Sequence, residues 1–230
     1  MKIPTMLSLL SIHIPKTAGT NFSEVLKTIF QDTIHYDYGT ERDLVAARTI
    51  NPIITADVAK FRKDCNVVHG HFHYLKYKET FGGVPVIATL RHPVDRVVSQ
   101  YRHIAMHGER SVERHRLIMD GKMGVVHFSK FPFVGNAQAC YLEGIEVEDL
   151  QQAIIQEHFS QTVKDFCKKV GFDPEHPQIN KLVGSPINAR KGKTWKSKAL
   201  PIEPEDYAKI EANCGRDLDI YNRAVEKFVG

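Results

Sequence analysis

Two stretches of this chain carry residue types that could hold an anion, and a third carries candidate bases. The first is Pro15-Lys16-Thr17-Ala18-Gly19-Thr20, which combines small residues, one lysine and two hydroxyls. Small residues let backbone N–H groups approach a phosphate or sulfate, a following helix N-terminus adds positive potential, and Lys16 supplies a mobile charge. The loop is not a Walker A loop: GxxxxGK[ST] places the lysine after the second glycine, and here Lys16 precedes the only one. An ordinary ATPase or GTPase is thereby disfavoured. The second stretch, Arg91-His92-Pro93-Val94-Asp95-Arg96-Val97-Val98-Ser99-Gln100-Tyr101, offers a guanidinium whose paired donors match phosphate oxygens and, further along a helix, the Ser99 hydroxyl. The plainer alternative is that Arg91 and Arg96 pair with local carboxylates such as Asp95. Two anion-holding elements in succession weigh against it.

In the third stretch His69, His71 and His73 alternate, so an extended strand would turn all three to one face. An HxH pair with a third imidazole is compatible with a metal site. The competing chemistry is proton removal from a hydroxyl by an imidazole of ordinary pKa about 6.5. The base reading is preferred and no metal is expected, because no carboxylate or cysteine partner follows at ligand spacing. His73 is read as a polar residue at a strand end, and spacing does not choose between His69 and His71. The remaining histidines, among them His103, His107, His115 and His127, are read as surface or acceptor-side residues.

These residues need elements to hold them. Residues 7–14 form a continuous apolar run, and residues 21–30 repeat Phe22, Val25, Leu26 and Ile29 at helical spacing, so the first loop joins a strand to a helix. Residues 65–74 and 84–90 read as further strands separated by a Phe-Gly-Gly turn, and the second of them feeds a helix over 94–106 that opens with a proline. Such alternation predicts an α/β fold with a mostly parallel sheet whose ligand crevice lies at the carboxyl ends of the strands. From about residue 110 the pattern is mostly helical, with residues 150–170 read as one long helix and 204–229 as a closing pair interrupted near Gly215. Residues 171–201 are read as an ordered loop over the site, carrying the basic run Arg190, Lys191 and Lys193.

The chain has 230 residues, 42% of them hydrophobic and 25% charged, which suits one domain with a sizeable core. Its formal net charge of +4 suits an anionic ligand but falls short of a nucleic-acid-coating surface. Four cysteines without CxxC spacing point to reduced thiols. The apolar run at residues 6–14 is too short to span a bilayer and lacks a signal-cleavage site, and no other stretch reads as transmembrane.

With both loops in order, the chain resembles sulfotransferases that use 3′-phosphoadenosine 5′-phosphosulfate (PAPS), in the branch of the heparan and dermatan/chondroitin uronyl 2-O-sulfotransferases. Residues 12–20 resemble that family's 5′-phosphosulfate loop, and residues 90–101 its 3′-phosphate element. Weaker likeness extends to His69-Gly70-His71, to Asn136-Ala137-Gln138 with Leu142 and Gly144, and to Asp219-Ile220-Tyr221. Asn21 stands where the family usually has serine. The resemblance implies a P-loop-like three-layer α/β/α fold with a helical C-terminal half and a single sulfotransferase domain over residues 1–230. It also implies a PAPS site made of Lys16, Thr17, Ala18, Gly19, Thr20, Asn21, Arg91 and Ser99, with adenosine 3′,5′-bisphosphate (PAP) as product. Lys16, His69 and His71 would serve catalysis, and Arg190, Lys191 and Lys193 would close over the nucleotide. The acceptor would be a hydroxyl on an oligosaccharide, glycolipid or small metabolite, with the basic residues of 102–116 available to an acidic glycan. A cytoplasmic enzyme is expected, a trimmed lumenal domain of a Golgi-type enzyme being the alternative. A kinase-like phosphotransferase and a noncatalytic nucleotide or glycan-binding module are the rival classes.

Overall fold

The computed structural model describes residues 7–38, 58–184 and 202–230. A five-stranded sheet forms its centre: β1 (Leu9–Ile12), β2 (Ile34–Asp37), β3 (Val67–Gly70), β4 (Val86–Leu90) and β5 (Gln152–Ile155), in the order β2-β3-β1-β4-β5. Every pairing is parallel, with Ser11 opposite both His69 and Ile87, and Tyr36 opposite His69. The inner strands are buried at every position, as a parallel sheet covered on both faces requires.

Alternation along the strands divides the core. Leu9, Val67, Ile87 and Ile154 face α1 (Gly19–Phe30) and two later helices, α9 (Phe159–Lys169) and α10 (Pro177–Gly184). Leu10, Val68, Ala88 and Ala153 face the opposite layer, which holds α3 (Leu75–Lys78), α8 (Ala137–Tyr141) and the closing helix α12 (Gly215–Phe228). Helix α2 (Val58–Asp64) leads into β3. A third apolar cluster ties α4 (Pro93–His107) to α5 (Glu113–Met119), α6 (Val125–Ser129), α7 (Pro132–Gly135) and α11 (Pro204–Ala212). The result is the three-layer α/β/α arrangement with a largely helical C-terminal half. Among the described residues no helix is long and apolar enough to cross a membrane, and the four cysteines are free, with Cys65, Cys167 and Cys214 buried.

Two expectations are corrected. Residues 150–170 are not one helix: Gln152–Ile155 is strand β5 and the helix begins only at Phe159. A short run such as Ala153-Ile154-Ile155 has no periodicity of its own, and the open edge of β4 claims it. Part of the loop expected over 171–201 is helix α10, which buries Ile179 beside α1 and α9. The basic run Arg190, Lys191 and Lys193 lies outside the described residues. Strand β2 and helix α2 went unread because β2, Ile-His-Tyr-Asp, is a half-exposed edge strand without an apolar run. The helix pair broken near Gly215 is found as expected.

One buried polar knot joins the C-terminal half to the sheet. Asp217 accepts hydrogen bonds from the Gln138 and Ala139 backbone N–H groups at 3.0 and 2.8 Å, capping α8. Asn136 Oδ1 does the same at the start of α12, accepting from Arg216 N at 3.0 Å and Asp217 N at 3.3 Å. Arg96, fully buried, reaches Asp217 at 3.8 Å and donates to Gln100 and to the Val134 carbonyl. Burial pushes the Asp217 carboxyl up to about 6, against the pull of Arg96 and the two N–H groups. Gln138 then holds the Arg91 backbone N–H at 3.0 Å, so the knot ends at the candidate anion site. Asp217→Ala strands a buried guanidinium and uncaps α8, and is expected to cost about 3–5 kcal/mol in urea unfolding; a loss under about 1 kcal/mol would show that the knot is not what holds these helices.

Candidate active site

The loop after β1 is held in a costly conformation. Lys16 and Ala18 both have left-handed backbone, φ 71° and 66°, which costs about 1–3 kcal/mol at each non-glycine residue. Two threonines fix it. Thr17 Oγ1 donates to Ile14 O at 2.6 Å and lies 2.5 Å from Thr89 Oγ1, which accepts from Ile14 N at 3.2 Å. The Thr17 hydroxyl is therefore buried and spent on the loop itself, so the contribution of Thr17 to a ligand is its backbone. Ala18 sits at the N-cap of α1 with no side-chain cap, and the first turn contains no acidic residue, leaving the helix's positive end open. The Asn21 N–H turns back to Ala18 O at 3.0 Å, so it is spent within the first turn of α1. Thr20 is exposed, Lys16 and Ala18 are half-buried, and Gly19 is buried.

Arg91 follows β4 and continues the side of Ile87 and Thr89. Its Nη1 donates to Lys16 O at 3.4 Å, which brings the two anion-holding elements together. Its Nε is buried with no hydrogen-bond partner among the described residues, and burial pulls the guanidinium below its ordinary value. A half-buried guanidinium whose Nε is unsatisfied, beside an uncapped helix end, fits a ligand with phosphate oxygens. Ser99 is half-buried in the second turn of α4, while Tyr101 donates to Met123 O and is structural. Arg96 pairs with Asp217 rather than Asp95.

The histidines are partly as expected. His69 and His71 stand on the α1 side, but β3 ends at Gly70 and the chain turns, so His73 leaves that face and stacks on Tyr141 at 4.6 Å, interplanar 22°. A Cβ at Gly70 would lie 1.9 Å from the Asp37 carbonyl oxygen, and this close approach explains the glycine between the two histidines. A third imidazole, which the sequence did not single out, completes the group: His13 stacks on His69 at 5.6 Å and meets the edge of His71 at 4.4 Å. Its ring also covers the helix start so closely that a Cβ on Gly19 would lie 1.9 Å from it. His13 thus bridges the loop and the histidine pair. The signal was available as spacing: Ser11 and His13 repeat at the strand period as His69 and His71 do.

Two rows result. Tyr36, His69 and Ser11 lie abreast on β2, β3 and β1, with Ser11 Oγ sharing a 2.8 Å hydrogen bond with His69 Nδ1. One step beyond the strand ends come Tyr38, His71 and His13, with Tyr38 OH 3.3 Å from His13 Nδ1. Burial, with the neighbouring imidazoles, pushes His69 down to about 3 and His13 down to about 2, so both are neutral near pH 7. His69 is 0% exposed and His71 is half-buried, with its Nε2 buried. Among the described residues no three His, Cys, Asp or Glu side chains gather as a metal site. Of the basic residues of 102–116, Arg110 pairs with Asp120 and Arg114 lies over the Phe128, Phe131 and Phe133 rings.

A parallel sheet whose strands deliver an anion loop, an arginine and a histidine pair to one edge defines a group-transfer enzyme fold of the P-loop-like kind. The model of the sulfotransferase family matches residues 3–182, and the chain belongs to that family. Its reaction class is sulfuryl transfer. Among solved structures it is similar to mouse sulfotransferase SULT7A1 complexed with PAP, at 13% identity and a TM-score of 0.54, covering 96% of this chain and 88% of that one. No curated protein matches the sequence.

The neutral buried histidines carry a pH signature. Unfolded, each regains a pKa near 6.5, so below that pH the unfolded chain binds more protons and stability falls with pH. The stabilisation they confer is full above pH 6.5 and is lost as pH falls toward about 3. Between pH 6.5 and 5 the loss is about 1.5 kcal/mol per histidine. Melting temperature followed over this range should have a shallower slope in His69→Gln than in the parent; equal slopes would mean that His69 is not buried neutral.

Proposed function

We propose that the chain transfers the sulfuryl group of PAPS to a hydroxyl of a carbohydrate or glycoconjugate, with His71 as the base. The observation that carries the reading is the contact chain from Gly19 through His13 to His71, which sets the His71 imidazole beside the anion loop. The backbone of residues 17–20 and the open end of α1 hold the 5′-phosphosulfate, and Arg91 and Ser99 hold the 3′-phosphate. The similar SULT7A1 structure is a complex with PAP, which supports this donor.

His71 takes the proton of the acceptor hydroxyl as its oxygen bonds to sulfur. The bond from sulfur to the bridging oxygen of the 5′-phosphate breaks, and Lys16 offsets the negative charge that grows on the departing phosphate. His69, tethered through Nδ1 to Ser11, holds the neighbouring imidazoles in place rather than exchanging the proton. The carbohydrate acceptor rests on the uronyl 2-O-sulfotransferase-like His69-Gly70-His71 element.

Two measurements test this. PAP should raise the melting temperature and AMP should do so little, with Arg91→Ala abolishing the difference; stabilisation by ATP and magnesium alone would refute the donor site. His71→Ala should slow transfer from PAPS by about 10²–10⁴-fold while keeping the PAP shift, and normal turnover by that variant would refute the base.

A further inference from the structure

Arg91 and His92 make up the whole connection between β4 and α4, because β4 ends at Leu90 and the helix starts at Pro93, which has no N–H to give. Both backbone donors of the connection are taken by side chains. Arg91 N donates to Gln138 Oε1 at 3.0 Å, and His92 N donates to Glu157 Oε1 at 3.0 Å. Each acceptor is tied in turn to α12. Asp217 accepts from the Gln138 backbone N–H at 3.0 Å, and Tyr221 donates its hydroxyl to Glu157 Oε2 at 3.2 Å. Asp217 and Tyr221 stand one helical turn apart on α12, so one side of that helix serves both arms. The Tyr221 ring also meets His92 edge-on at 5.4 Å, and burial, with Glu157 beside it, pushes its phenol up, so it stays a donor.

Glu157 is the telling member. It is exposed, so core packing does not require it, and its charge bears on Arg91. A carboxylate beside an anion site opposes the anion. Here its two oxygens are occupied by a backbone N–H and a phenol, which is the arrangement of a brace.

We propose that Glu157 and Tyr221 are positioning residues for Arg91, and that with Gln138 and Asp217 they form a two-armed clamp that sets the site's preference for a nucleotide bearing a 3′-phosphate over one without it. This rests on Arg91 as the 3′-phosphate contact. A guanidinium matches phosphate oxygens through paired donors only while its backbone is fixed, and a displacement of about 1 Å is enough to spoil such a match. The clamp acts on one end of the nucleotide. The 5′ end falls to the loop after β1, which is fixed by Thr17 and Thr89 rather than by α12.

The test is calorimetric titration of the full chain with PAP and with AMP, which differ only in the 3′-phosphate. Glu157→Leu should weaken PAP about tenfold and leave AMP within about twofold, and Tyr221→Phe should weaken PAP about threefold. Glu157→Gln keeps the acceptor for His92 N and removes the charge, so it should bind PAP at least as tightly as the parent. Equal weakening of PAP and AMP would reveal general loosening, unchanged PAP binding in Glu157→Leu would leave the clamp without effect, and a Gln variant as weak as Leu would make the charge, not the hydrogen bond, the cause. Each of these overturns the proposal. Arg91→Ala on the same ligands separates failure of the clamp from failure of the donor site: it should bring PAP down to the affinity of AMP, and if it does not, the 3′-phosphate assignment falls and the clamp with it.

Discussion

Five strands that run the same way must all end at the same edge of the sheet, and nearly everything chemical in this molecule follows from that. Side chains alternate along each strand, so the residues one step beyond the strand ends on the α1 side form a line: Tyr38 after β2, His71 after β3, His13 after β1 and Arg91 after β4. An antiparallel sheet with the same residues would scatter them between two edges. The parallel register places a phenol ring, two imidazoles and a guanidinium in sequence along that edge.

The line has to be stiff, and its stiffness comes from what lies beneath it. Thr17 and Thr89 lock the first loop onto β4, so two unfavourable left-handed residues persist. Ser11 and His69 form a buried, neutral second row under His71 and His13. These groups do no chemistry that their geometry exposes. They hold the groups at the strand ends in place.

Much of this was legible in the sequence where the determinants are local. The strand, loop and helix around Lys16, and the strand, arginine and helix around Arg91, could be read from residue type and spacing because turn and cap chemistry is written in adjacent residues. Parts that depend on packing could not. Strand β5 is a short run that becomes a strand only because β4 offers an unpaired edge. His73 shares the alternation of His69 and His71, yet the turn after Gly70 removes it from their face. Asp217 lies far along the chain from the arginine and helix it supports, and nothing near it in sequence marks it as their partner.

The reciprocal capping of α8 and α12 has a consequence for the order in which the molecule can be built. The sheet strands, the Lys16 loop and the histidine rows are complete once β5 has formed, and all lie within the first 155 residues. Arg91, however, is held through Gln138 by a carboxylate at residue 217. During synthesis the histidine edge can therefore assemble early, while the arginine end stays unfastened until α12 emerges and docks. The nascent chain passes through a stage that has the His13 and His71 imidazoles in place but lacks the brace for Arg91.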